Sequence, residues 1–525
     1  MKRISVQAAV LAAAVLLLVP ELANPSGRGM AATPRKANSL GTVRSARFSG
    51  APNSPASGRQ RRDEWSVVLD EKEGKRYDSV GSSGPTFSPD SRRLAYRAER
   101  DGRWLVVVNG KESKPYDAMS KWSPIFGPDG KHMAYIARRG GRWLVVVDGR
   151  GGREYDEIQG DSLTFSPDGR RVGYEAERDG KWVAVVDGKE SEAYENIAEE
   201  SLTFSPDSRH AAFQAERGGR WFVVLDGTEE REFDGVSSLA FNADSRHVAY
   251  VAQQAGTEFV VLDGEEGRQY DRIEDGPIFS PDGKHMAYAA REGGKYLVVL
   301  DGKESREYYD FIKDSLVFSP NSHRLAYLAG DSEWLSAVVD GKDGKGYSDV
   351  QDFAFSHDSR HVAYDAEPKD LLKWLVVVDG REGREYDHVS NLTFLPGAGQ
   401  IAYVARRGRK SFVVLHGKVG KPYDQIEQGT VDFSPNGKRV AYAAEEDGEW
   451  FVVVDGKRGR KWLWGTQITF SPDSRHVAYI AARGEGCRIV EDGRQGKEYR
   501  SAWNIRFSPD SKHLAYVVEL RAGDP

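Results

Sequence analysis

Seven histidines fall at one recurring place in the chain, just ahead of a short apolar run; His132, His210, His247 and His285 are four of them. Imidazole is a common metal ligand, so a ring of such groups would suggest a metal centre. In other copies Arg93, Arg171 and Arg439 fill the same place, which marks it as a polar position at a turn. Equivalent positions in successive repeats also lie too far apart for ligation at ~2 Å, so no metal is expected. Tyr-Asp pairs recur as well, at Tyr77-Asp78, Tyr116-Asp117, Tyr155-Asp156 and Tyr386-Asp387. They invite a carboxylate mechanism, but the simpler reading has Tyr pack on the sheet and Asp cap the following loop. No nucleophile elbow is present, since Gly81-Ser82-Ser83-Gly84 has the wrong spacing. Walker A, HExxH and paired-cysteine motifs are also missing from the sequence. No catalytic residue and no cofactor is expected.

The elements that would position these groups are repeats. The motif FSPDSRRLAY (Phe87–Tyr96) returns in twelve copies, its phenylalanine running from Phe87 and Phe126 to Phe470 and Phe507 at spacings of 37 to 39 residues. A fixed period of this length marks a repeat architecture. In the copy at 162–197, Leu163–Phe165 is a short strand and Ser166-Pro167-Asp168-Gly169 a turn; Val172 and Tyr174 lie on one face of a second strand. Trp182–Val186 forms a third strand between an Asp-Gly turn on each side, and the segment EAYENI supplies an outer one. Four strands per repeat of about 38 residues is a β-propeller blade. Cys487, the only cysteine, takes the place that Trp143 or Trp182 holds elsewhere, so it reads as a small core residue.

The predicted fold is therefore an all-β propeller of twelve four-stranded blades. Its array opens with third and fourth strands (Trp65–Asp78) and closes with first and second (Ile505–Val518), halves that complete one shared blade. Rings usually hold four to eight blades, so two six-bladed propellers are expected, over 63–292 and 293–525. One twelve-bladed ring is the alternative, because Arg291–Lys295 looks like any other hairpin here and not like a linker.

Scaffold positions recur in a repeat protein, whereas binding positions vary. The fourth residue before each motif phenylalanine varies: it is Trp122, Asp161, Glu200, Asp275, Asp314 and Trp503 in six copies. This place lies where the chain enters the innermost strand, at the channel mouth. These six residues are the expected binding site, an acidic mouth with two aromatic anchors. Basic turns, including Arg97, Arg100, Arg138, Arg178 and Arg217, are expected to form a rim around it.

The repeated FSPDG-like turn, followed by an alternating strand ending near Ala-Tyr, resembles the WD40-like propeller repeats of the TolB family. The likeness covers nearly all of the folded body, although Asn242-Ala243-Asp244, Ser356-His357-Asp358 and Leu395-Pro396-Gly397 depart from Ser-Pro-Asp. The resemblance implies an envelope-located propeller that binds protein.

Lys2 and Arg3 precede twelve apolar residues, Ala8–Val19, a pattern that predicts a signal peptide over 1–31. A Ser/Gly/Pro/Arg-rich tether over 32–62 follows. The body is then expected in the periplasm or outside the cell, with no membrane insertion after cleavage. Charge is near balance, 74 Lys+Arg against 80 Asp+Glu, which argues against a nucleic-acid partner. The sequence thus points to an exported, non-enzymatic propeller that binds a protein or peptide. The competing expectation is a glycan lyase or hydrolase using mouth carboxylates such as Asp161 and Glu200.

Overall fold

The computed structural model describes residues 64–520 except 370, 371, 398, 428, 463 and 485, so the expected signal and tether lie outside the described residues. Its strands form twelve antiparallel sheets. Blade 1 starts at Ser79 and the others follow in chain order. Blade 3 is typical: a split inner strand (Glu157–Ile158 and Thr164–Phe165), then Val172–Arg178, Lys181–Val186 and a short outer strand, Lys189–Glu190. Asp179-Gly180 and Asp187-Gly188 turn the two hairpins with φ of 54° and 72°, then 53° and 77°. Both residues of each turn are left-handed, which matches the right-handed twist of the strands. The outer strand is shorter than expected: beyond Glu190 only a Trp182–Tyr194 bridge continues it. Asn196–Ile197 already begins the inner strand of blade 4.

The motif turn is locked by its own side chains. In blade 3 the Ser166 hydroxyl donates to Asp168 (2.6 Å), whose Oδ1 accepts the Arg170 N–H (3.0 Å). Asp187 then ties the next hairpin to it, accepting the Val172 N–H at 3.0 Å and Arg171 Nε at 3.0 Å. Histidine does Arg171's work in other blades: His210 meets Asp226 at 2.6 Å and His285 meets Asp301 at 2.7 Å. The recurring histidine position is therefore a hairpin clasp.

The Tyr-Asp pairs are joints between blades. Tyr155 packs edge-on against Tyr174 of the next blade, centroids 6.0 Å apart. Asp156 accepts the Asp179 N–H at 2.9 Å, capping that blade's hairpin. Apolar side chains fill the gaps between sheets, with Tyr155, Ile158, Val172 and Val183 joining blades 2 and 3.

Closure settles the number of rings. The first strand, Glu64–Leu69, pairs along its length with the last, Leu514–Leu520, in blade 12. Across this seam Asp70 accepts the Leu514 N–H at 3.0 Å and contacts His513 at 2.7 Å. The Asp510 N–H of blade 12 reaches Ser91 of blade 1 at 2.9 Å. An identical link joins blades 6 and 7, from the Asp282 N–H to Ser322 (2.9 Å), and one core spans both blades from Ala289 to Tyr308 and Tyr327. The expectation of two six-bladed propellers is corrected accordingly. All twelve blades stand in one ring, the alternative reading, because the middle of the chain continues the stack instead of closing it.

Candidate functional site

The inner strands of neighbouring blades touch one another and form the channel wall, as Gly235–Phe241 does with Arg272–Phe279. Before Phe126, Phe165 and Phe204, each 39 residues after the preceding phenylalanine, the inner strand breaks into a turn. Before Phe394, at the same spacing, His388–Phe394 runs unbroken, because the two extra residues lie between His361 and Asp379. Before Phe241, Phe470 and Phe507 the spacing is 37, and the strand runs unbroken with a bulge. A hydroxyl three residues before the phenylalanine pins each turn. Ser123, Ser162 and Ser201 accept the N–H groups of Ile136 (2.9 Å), Glu175 (2.9 Å) and Gln214 (3.2 Å). The residue before each serine is thereby lifted off the wall.

In three consecutive blades, 2, 3 and 4, those lifted residues are Trp122, Asp161 and Glu200, and they share one cavity of about 430 Å³. Ser123, Ile125, Gly160 and Leu163 complete its lining. Trp122 is 52% exposed, one of the few large apolar side chains in the open among the described residues. Lys121 Nζ sits over its ring at 4.8 Å, so the ring already holds a cation. Burial, then the neighbouring Asp161, raises the Glu200 carboxyl above its ordinary range. The site thus joins an exposed aromatic face to two carboxyls.

The other expected site residues lie elsewhere. Trp503, in blade 12, is half-buried and packs edge-on to Trp65 with centroids 4.4 Å apart, filling the seam with blade 1. Asp275 and Asp314 belong to blades 6 and 7. Asp275 is only 7% exposed, and burial followed by the Asp314 charge pushes its carboxyl up to about 6. The expected basic rim is largely spoken for: Arg100, Arg178 and Arg217 pair with Glu112, Glu190 and Glu229 of their own outer strands. Arg97 is buried and donates to the Met119 carbonyl at 3.3 Å.

Sequence reasoning missed three features. Glu175 is buried behind the Glu200 turn, accepts the Leu202 N–H at 3.0 Å, and is raised by burial to about 7. Asp365 is equally buried and, through burial and then Asp352, is raised to about 8. Both follow the second-strand tyrosine, a place held by Ile136, Val251, Leu328 and Ile480 in other blades. A charged residue where others are apolar was the available signal. Asp432 similarly rises to about 6 through burial. Cys487 is buried in the core as expected, which pushes its thiol up to about 11 and leaves it a poor nucleophile.

No protein-family model matches the chain, and no curated protein matches it by sequence. Solved structures do resemble it. A eukaryotic initiation factor is 13% identical over 63% of this chain and 97% of that chain, with a TM-score of 0.35. TolB from Acinetobacter baumannii is 18% identical over 42% of this chain and 61% of that one, TM-score 0.23. The fold is a twelve-bladed β-propeller. A Niastella koreensis GH74 enzyme is also similar, at 10% identity over 78% of this chain and 84% of that chain, TM-score 0.25. At such identities the likeness is one of fold.

Proposed function

We propose that this propeller is a binding protein whose partner is a protein or peptide, engaged on the channel wall of blades 2 to 4. The observation that carries this reading is the exposed Trp122 beside the Asp161–Glu200 pair in one cavity. An aromatic face next to carboxylates suits a basic side chain, which gains cation–π and charge-assisted contacts together. A partner lysine or arginine would take the place that Lys121 holds over the ring. The basic head and apolar run at Lys2–Val19 support export, so the partner is sought in the cell envelope or outside it.

The competing reading is a glycan lyase or hydrolase using Asp161 and Glu200. The two carboxyls line one cavity, and Asp161 helps to raise Glu200; a glycosidase pair would flank its bond at ~5–9.5 Å with one carboxyl raised. The exposed indole beside them favours binding. The test is capture from native envelope extract with tagged protein, comparing wild type with Trp122→Ala and with Asp161→Asn/Glu200→Gln. A partner held by wild type and lost from both folded variants supports the proposal. Equal capture by all three overturns it, and turnover of a glycan that Glu200→Gln abolishes establishes the enzyme instead.

A further inference from the structure

Around the circumference a carboxylate stands at one register position of the outer strand in most blades, although Gly151, Arg458 and Gln495 replace it in blades 2, 10 and 11. In blades 1 and 3 it collects donors from two blades. Glu112 accepts Lys75 (3.1 Å) and Tyr77 (3.1 Å) from the preceding blade and Arg100 (3.0 Å) from its own. Glu190 accepts Arg153 (3.0 Å), Tyr155 (3.0 Å) and Arg178 (2.8 Å) in the same way. Glu112 is held down at about 2, chiefly by its hydrogen bond to Arg100. The place is defined by register: Val107 faces Glu112, Val185 faces Glu190 and, in blade 9, Val414 faces Val419.

In blade 9 the donors are present and the acceptor is not. Arg384 stands where Arg153 does, Tyr386 where Tyr155 does, and Arg407 ends its second strand as Arg178 does. Among the described residues no carboxylate lies within 4.0 Å of either guanidinium. Arg407 nevertheless keeps the pose of its counterparts, 5.1 Å above the Tyr386 ring, as Arg100 lies 4.8 Å above Tyr77. It also donates to the Glu385 carbonyl at 2.9 Å. A cavity of about 560 Å³ opens here, lined by Lys373, Gly383, Arg384, Glu385, Tyr386 and Arg407. Lys373 is engaged by Asp387, which leaves the two arginines as the uncommitted charges.

We propose that this rim cavity binds the carboxylate of an acidic segment on a partner protein, which supplies the glutamate that blade 9 lacks. Two guanidinium groups, Arg407 held over the Tyr386 ring and Arg384 exposed beside it, match the oxygens of one carboxylate. A peptide is favoured over a free anion because exposed apolar residues stand at the vacant acceptor position and next in sequence to the cavity lining. Val419 is 40% exposed, and Leu372, next in sequence to Lys373, is 85% exposed. The site is far round the ring from Trp122 and does not depend on the proposal made for it.

The test uses fluorescein-labelled hexaglutamate and the full propeller at low ionic strength, read by anisotropy. Val419→Glu restores the residue type found in other blades, so the variant should fold and should bind at least about tenfold more weakly. Arg384→Ala/Arg407→Ala should lose binding to the same degree, whereas Arg209→Ala/Arg246→Ala, away from the cavity, should not. Undiminished binding by both cavity variants overturns the proposal, as does equal loss in the control variant, which would mark non-specific attraction. Inorganic phosphate that binds the site while hexaglutamate does not would overturn the peptide assignment.

Discussion

Two tryptophans in the same repeat position have different work. Trp122 faces the channel in a cavity with carboxyls, whereas Trp503 is wedged against Trp65 at the seam. Trp122→Ala should leave the melting temperature unchanged and weaken the partner by about 2 kcal/mol or more, the scale of an aromatic hot spot. Trp503→Ala should do the reverse, lowering stability by about 2–3 kcal/mol in chemical denaturation without touching binding. The buried carboxyls predict a pH effect. Glu175, Asp275 and Asp365 rise on folding to about 7, about 6 and about 8. Between their unfolded values near ~4 and these, the folded state holds protons that the unfolded state releases. Stability is therefore fullest below pH ~4 for these groups and falls as pH rises through 6 to 8. Asp365→Asn should raise the melting temperature at pH 8.5 by roughly 2 °C and leave it unchanged at pH 4. Melts followed by circular dichroism would decide, and an unaltered pH slope would contradict the assignment.

At the scale of elements, one residue per motif turn carries the contact to the neighbouring blade. Ser208, left-handed at φ 66°, accepts the Asp168 N–H of the preceding blade at 2.9 Å, while blades 2 and 3 place Gly130 and Gly169 there. Ser208→Ala keeps the strained backbone and loses the bond, so it should cost about 1–2 kcal/mol; Ser208→Gly relieves the strain and should be close to neutral. Denaturant midpoints of the two variants check this: an Ala variant as stable as wild type would show that the bond contributes nothing, and equal losses would show that the left-handed backbone costs nothing. Strands and turns were legible because each turn carries its own chemistry: Asp187-Gly188 could only be a hairpin, and Ser166-Pro167-Asp168 closes on itself. The split inner strand does not follow from repeat length alone, since His388–Phe394 is unbroken after a 39-residue spacing; the hydroxyls of Ser123, Ser162 and Ser201 hold it where it occurs. Trp122, Asp161 and Glu200 stand out in the sequence because their position varies. Asp275 and Trp503 share that position but not its exposure, since the neighbouring blade covers them, and burial by a neighbour is not written in local sequence.

The number of blades in the ring belongs to the whole molecule and was not local either. Every hairpin, Arg291–Lys295 included, is compatible with closing a ring or continuing one, and the choice rests on contacts such as Asp282 to Ser322 and Asp510 to Ser91. A ring of near-identical blades gains function by departing from its repeat. Blades 2 to 4 place an aromatic and two carboxyls on the wall, and blade 9 leaves a rim acceptor out. The central claim is that the wall of this ring binds in one sector only. A photo-crosslinking residue substituted for Trp122, or for Gln351 at the equivalent position in blade 8, would test it in native envelope extract. The account predicts one discrete protein adduct from position 122, none from 351, and competition by unlabelled wild type but not by Asp161→Asn/Glu200→Gln. Equal labelling from both positions, or adducts from 351 alone, would contradict it.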